Sequence, residues 1–128
     1  MSTYSIHRQE FVQWARTYQG PKFHALFADP PYGLAFMGKK WDSPGSPAAY
    51  QALAKQWGEA MLPLLYPGAL VFLFGGTRTA HRLTCGMEDA GFEMFDTLMW
   101  LYGTGFPKGR GIGGLVAKRT GEKPSAMR

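Results

Sequence analysis

Apolar positions along this chain recur at two periods, and the switching between them lays out the elements. From Ile6 to Tyr18, Phe11, Trp14, Ala15 and Tyr18 stand at helical spacing and predict a short amphipathic helix, which Gly20-Pro21 ends. His24-Ala25-Leu26-Phe27-Ala28 is a short apolar run and predicts a buried strand. Pro30 and Pro31 cannot continue a central strand, so a rigid loop begins there. Residues 33–47 read as a long loop whose apolar positions are Leu34, Phe36, Met37 and Trp41. Ser46 as N-cap and Pro47 at the first helical position open a second helix. Its stripe is Tyr50, Leu53, Trp57, Met61 and Leu64, and Pro63 with the turn Tyr66-Pro67-Gly68 closes it. Leu70 to Phe74 is continuously apolar and ends in Gly75-Gly76, the pattern of a fully buried parallel strand. A third helix from about Thr79 turns Leu83, Met87 and Ala90 inward and stops at Gly91. Phe92 to Tyr102 predicts a third strand, broken by Gly103-Thr104-Gly105.

Helices and strands thus alternate with crossovers of βαβ length. That order predicts an open α/β sheet of three to four mainly parallel strands with flanking helices. Ligands bind such sheets at the carboxyl ends of the strands. Asp29 to Tyr32 and Gly75 to Thr77 both follow strand ends, so they are expected on one rim.

Composition narrows the classes. At 128 residues, with 45% hydrophobic and 18% charged, the chain suits one globular domain and argues against disorder. No apolar stretch approaches the roughly 18 residues of a membrane span, and Met1-Ser2-Thr3-Tyr4 lacks the layout of a secretory signal. A soluble, cytoplasmic chain is expected. The single cysteine, Cys85, excludes an internal disulfide or a multi-cysteine zinc site. His7, His24 and His81 are scattered without ligand spacing, so no metal is expected.

Charge divides the chain in two. Residues 1–107 carry eight Lys/Arg and eight Asp/Glu, so the net +5 lies entirely in residues 108–128. We read 1–107 as a folded domain and 108–128 as a basic, glycine-rich tail. Lys108, Arg110, Lys118 and Arg119 of that tail are candidate phosphate contacts; a solvated tail that aids solubility is the plainer alternative. Lys39 and Lys40, beside Trp41 on the loop, and Arg78 past the second strand are further candidates. Trp14, Trp57 and Trp100 read most simply as core.

Asp29-Pro30-Pro31-Tyr32 carries the sharpest chemistry. A carboxylate at a strand terminus, a backbone of carbonyls without N–H groups and an aromatic face form a pocket for an exocyclic amine on a planar base. With this motif the chain resembles the DNA amino-methyltransferases, which methylate adenine N6 or cytosine N4. Their catalytic motif has Asp, Asn or Ser, two prolines and an aromatic residue. The longer strings DPPYGLAFMGKKWD (29–42), FGGTRTAHRL (74–83) and DTLMWLYGTGFPK (96–108) are similar to phage and prophage members. The likeness spans residues 23–108.

The resemblance implies that Asp29 and the Pro30 carbonyl accept the target amine, that Pro31 stiffens the motif, and that Tyr32 stacks on an extruded base. It implies S-adenosylmethionine as methyl donor, DNA as substrate, direct displacement without a covalent adduct, and a bacterial host cell as the setting. Relatives whose catalytic motif comes first hold the cofactor at a glycine turn past the target-recognition region. That turn is expected to lie beyond this chain, and Tyr102-Gly103-Thr104-Gly105 is only superficially similar to it. The chain is therefore expected to be the catalytic half of a methyltransferase, inactive alone. The alternatives are a methyltransferase-derived phage protein that binds and inhibits a host defence or nucleic-acid-handling complex, and a plain DNA-binding fragment that relies on the basic tail. In each case an uncovered sheet edge and its apolar face are expected to be hidden by a second copy, a protein partner or the tail.

Overall fold

The computed structural model describes residues 4–101, 103–105 and 112–121. Two compact units divide the chain, residues 1–95 and 96–128. In the first unit, α1 (Phe11–Thr17) precedes β1 (Phe23–Ala28), α2 (Pro47–Met61), β2 (Leu65–Leu73) and α3 (Ala80–Asp89). Single 3-10 turns occupy Phe36–Gly38, Lys40–Asp42 and Leu62–Leu64.

Local signals place the helix starts. The Glu10 carboxylate accepts the Gln13 amide at 2.8 Å, so α1 begins at Phe11 and is shorter than the apolar spacing from Ile6 suggests. The Ser46 hydroxyl accepts the Ala49 amide at 3.1 Å, with Pro47 at the first helical position. α2 buries Tyr50, Ala54, Gly58 and Met61, while Leu53 and Trp57 of the expected stripe are half-buried. The reason is the close approach of α3. A Cβ on Gly86 would stand 2.5 Å from the Gln51 carbonyl oxygen and 2.6 Å from the Ala54 Cβ. The smallest residues therefore lie innermost. Leu83 and Met87 complete this core with Leu65, and Phe11, Phe23, Leu26, Val71, Leu73 and Phe92 pack around it.

β1 and β2 pair in parallel, with Ala25 opposite Leu70 and Ala28 opposite Leu73. Between Phe23 and Ala25 the register jumps from Leu65 to Leu70, so Tyr66-Pro67-Gly68 is a bulge inside β2 and does not end it. Neither strand is fully buried, contrary to the sequence expectation. Leu26, Val71 and Leu73 face the core, whereas Ala25, Phe27, Leu70 and Phe72 share the outer face. There Phe27 is 70% exposed and stacks on Phe72 with ring centroids 4.6 Å apart.

Among the described residues the sheet has two strands, not three to four. Residues 92–101 form neither helix nor strand, although their apolar pattern suits one. A strand exists only through its ladder partners, and no ladder is made there. Consequently Phe95, Leu98, Met99, Trp100 and Leu101 are exposed, and Trp100 is not a core residue. In the second unit Ile112–Thr120, within the glycine-rich stretch, forms a helix, α4. No helix among the described residues is long and apolar enough to cross a membrane.

Candidate functional site

The last rung of the sheet is the Phe74 amide donating to the Ala28 carbonyl at 2.9 Å. Immediately beyond it the chain enters Asp29-Pro30-Pro31-Tyr32, at the carboxyl end of β1. Gly75-Gly76 follows β2 on the same rim, as the alternation predicts. Asp29 is exposed; Pro30, Pro31 and Tyr32 are half-buried.

Three side chains from elsewhere hold this segment. The Tyr50 hydroxyl, from the first turns of α2, donates to the Pro31 carbonyl at 2.8 Å. The Thr79 hydroxyl, just before α3, donates to the Tyr32 carbonyl at 2.6 Å. Asp42 does the most. Its carboxylate accepts the amides of Gly33 at 2.7 Å, Leu34 at 3.1 Å and Phe36 at 2.8 Å. Its own carbonyl accepts the Ala35 amide at 2.7 Å. Four consecutive residues after the motif thus hang on one aspartate, which is only 2% exposed.

Electrostatics follow from this geometry. Burial alone raises the Asp42 pKa, but the backbone amides of Phe36, Gly33, Leu34 and Tyr32 outweigh it, so the carboxyl lies below its ordinary value. Burial, and after it the neighbouring Asp42 charge, pushes the Tyr50 hydroxyl up to about 12. The tyrosine stays a neutral donor beside an ionised acceptor.

The turn under Asp42 is bent beyond ordinary backbone. Ala35 and Met37 have φ of 53° and 50°, left-handed values that cost a side-chain-bearing residue about 1–2 kcal/mol each. Gly33 has φ of 67°, and a Cβ there would lie 2.9 Å from the Tyr50 ring, so glycine satisfies both conformation and packing.

Within the motif, the Tyr32 hydroxyl donates to the Asp29 carboxylate at 2.7 Å. The acceptor and the aromatic face expected to serve a base are therefore adjacent and bonded to each other. The structure brings Asp29, Pro30, Pro31 and Tyr32 together at one strand end. Lys39 and Lys40 are exposed on the following loop, and Arg78 is exposed between β2 and α3. Trp41, 60% exposed, does not anchor that loop in the core. Arg119 is exposed on α4, and Lys118 lies in the same helix. Lys108 and Arg110 lie outside the described residues.

The two glycine stretches differ in setting: Gly75-Gly76 follows the end of β2, and Gly103-Thr104-Gly105 does not follow a described strand. A Cβ on Gly76 would meet Leu34 at 3.2 Å, Thr79 at 3.3 Å and Tyr32 at 3.4 Å, so its bare backbone accommodates the motif loop. Among the described residues, 92–101 ahead of Gly103-Thr104-Gly105 form no strand, whereas a dinucleotide-type turn needs a strand end before it. Among the described residues no group of three His, Cys, Asp or Glu is placed to hold a metal ion. A groove of about 520 Å³ between α1 and α2, lined in part by Arg16, Tyr18, Lys22 and Glu59, shares no residue with the motif.

Sequence reasoning missed Asp42, Thr79 and the hydroxyl of Tyr50. One signal for Asp42 was present. A turn rich in free amides requires an acceptor, and Asp42 is the sole acidic residue from 33 to 46.

No solved structure matches this chain. The family model of the N6/N4 DNA methylases matches residues 23–116, which include both strands, the motif, Asp42, α2 and α3. With that share of its length matched, the chain belongs to the N6/N4 DNA methylase family.

Proposed function

We propose that this chain supplies the base-accepting half of a DNA amino-methyltransferase acting on adenine N6 or cytosine N4. The observation that carries this reading is Asp29-Pro30-Pro31-Tyr32 at a strand end, with the carbonyls of Pro31 and Tyr32 and the amides that follow all held by buried or half-buried partners. A base pocket needs such rigidity, because an amine gains from acceptors only where they are fixed before it arrives.

In this reading the extruded base lies against the Tyr32 ring. Its amine donates to the Asp29 carboxylate and the Pro30 carbonyl, which keeps electron density on nitrogen and directs the lone pair outward. The Tyr32 hydroxyl now on Asp29 gives way or shares the second carboxylate oxygen. S-adenosylmethionine, the donor implied by the family resemblance, would supply an electrophilic methyl group when bound. Lys39, Lys40, Arg78, Lys108, Arg110, Lys118 and Arg119 are the proposed phosphate contacts.

The test is a comparison of two DNA duplexes, one carrying an unpaired adenine and the other an unpaired purine without the amino group. A hydrogen bond to a charged acceptor predicts roughly tenfold or greater preference for adenine, lost in Asp29→Ala. Equal affinity of the unsubstituted protein for both duplexes, and likewise for an unpaired cytosine and an unpaired pyrimidine without the amino group, refutes the reading. Tyr32→Phe removes the competing donor and is expected to increase the preference.

A further inference from the structure

The loop from Phe36 to Trp41 presents three large apolar side chains to water within six residues. Phe36 is 60% exposed, Met37 80% and Trp41 60%, with Lys39 and Lys40 exposed between them. A floppy loop would need no explanation, but this one is shaped. Its base is pinned by the Asp42 carboxylate on the amides of Gly33, Leu34 and Phe36. Two consecutive 3-10 turns build its body, tied by Gly38 amide to Ala35 carbonyl at 2.9 Å and by Asp42 amide to Lys39 carbonyl at 3.2 Å. The backbone at Ala35 and Met37 is left-handed, and strain of that kind persists only where the surroundings impose it. Here the imposed shape holds apolar side chains away from the core.

Reach and chemistry select the partner. Met37 is five residues past Tyr32, so the chain keeps it within about 18 Å of the motif. Successive bases on a DNA strand are spaced by about 3.4 Å, which puts the steps beside a target base inside that radius. Phenylalanine and methionine are among the side chains that wedge between base pairs, and lysines beside them match the flanking phosphates.

We propose that residues 36–41 are a wedge that enters the DNA stack beside the target base, with Phe36 and Met37 at a base step and Lys39 and Lys40 on the adjoining phosphates. This rests on the reading of residues 29–32 as the base-accepting motif. The wedge fills the space left by the extruded base and holds the duplex open, while Asp42 fixes the wedge and the motif to one another.

The experiment uses the full chain and duplexes carrying 2-aminopurine next to an adenine or next to a cytosine, in every nearest-neighbour context. The fluorophore brightens when its step is unstacked. The unsubstituted protein is expected to brighten a subset of these duplexes. Phe36→Ala with Met37→Ala is expected to abolish the rise and weaken affinity for those duplexes about tenfold or more, while affinity for the same sequence with that adenine or cytosine already bulged out changes less than about twofold. Both side chains are exposed, so the fold is not at stake, and the bulged duplex checks it. Lys39→Gln with Lys40→Gln is expected to lower the salt slope of binding by about two. An unchanged rise in the double alanine variant, or equal loss on paired and bulged duplexes, overturns the wedge, as does the absence of any rise with the unsubstituted protein. A rise that needs Phe36 and Met37 but is indifferent to Asp29→Ala, together with no preference for the amino group, upholds the wedge and overturns the base-accepting reading.

Discussion

The Tyr50 hydroxyl donates a 2.8 Å hydrogen bond to the carbonyl oxygen of Pro31, across 19 positions of sequence. This contact joins the start of α2 to the segment that carries Asp29, and the ring of the same tyrosine packs on Gly33. One buried residue therefore sets both the height of the motif and the direction in which the chain leaves it.

Tyr50→Phe keeps the ring and removes the donor, leaving the Pro31 carbonyl without it. A loss of about 1–2 kcal/mol is expected in denaturant unfolding near neutral pH. The folded pKa lies above the ordinary value of 10.0, at about 12, so the neutral hydroxyl is the form the fold holds. Its contribution is fully present below pH 10 and is lost as pH rises towards 12, on the order of 2 kcal/mol in all. Unfolding curves between pH 8 and 12 check this: the alkaline loss should be shallower in Tyr50→Phe than in the unsubstituted protein.

Asp42 has the opposite sign. Its folded pKa lies below the ordinary 3.8, so its contribution is present above about pH 4 and disappears as pH falls through the depressed value. Asp42→Asn puts an amide donor among backbone donors and removes the charge. The expected cost is about 2–4 kcal/mol at neutral pH, with a flatter acid limb. A variant as stable as the parent at pH 7 contradicts the geometry of the turn.

What the sequence disclosed tracks how local each signal is. The cap at Ser46-Pro47, the helix ending before Gly91 and the placement of Asp29 at a strand end depend on a few neighbouring residues, and they stand as read. The face of α2 was only partly legible. Large apolar residues suggested Leu53 and Trp57, but the approach of Gly86 to Ala54 and of Ala90 and Met87 to Gly58 selected the small residues. The run from Phe92 to Tyr102 has strand composition and no described ladder, since pairing is decided by what lies alongside. Asp42 was hidden for a related reason: its role belongs to a turn whose shape is not written in spacing.

Gly86→Ala tests the α2–α3 contact. The added methyl meets the backbone oxygen of Gln51 at 2.5 Å, which no side-chain rotation relieves. About 1–3 kcal/mol of destabilisation is expected from the denaturation midpoint. Gly103→Ala is the control, because a Cβ there meets nothing within 4 Å. It should stay within roughly 0.5 kcal/mol of the parent.

The outer sheet face predicts association. Phe27 at 70% and Leu70 at 55% exposure, with Phe72 stacked beside Phe27, form an apolar patch along strands whose other edges are unpaired among the described residues. Light scattering should give a mass that rises with concentration, and Phe27→Lys should lower it towards the monomer. A monomer mass throughout the concentration series counts against this.

The last prediction concerns the basic residues of 108–128, which number six against one acid. Neutralising phosphates releases counterions, so affinity for duplex DNA should fall steeply with salt. If five of the six make contact, the log–log slope is about −4 to −5. α4 runs through the middle of this segment with Arg119 exposed on it, so part of the charge is carried on an ordered surface. Changing all six to glutamine should remove most of the slope and leave the unfolding of residues 1–95 unaltered, since that unit has its own core. Asp29→Ala should leave this salt-dependent component unchanged or slightly stronger, because it deletes a negative charge at the base site and no phosphate contact. A slope as steep after the six substitutions as before them would place the phosphate contacts on Lys39, Lys40 and Arg78 alone, and the basic segment would then have no part in holding DNA.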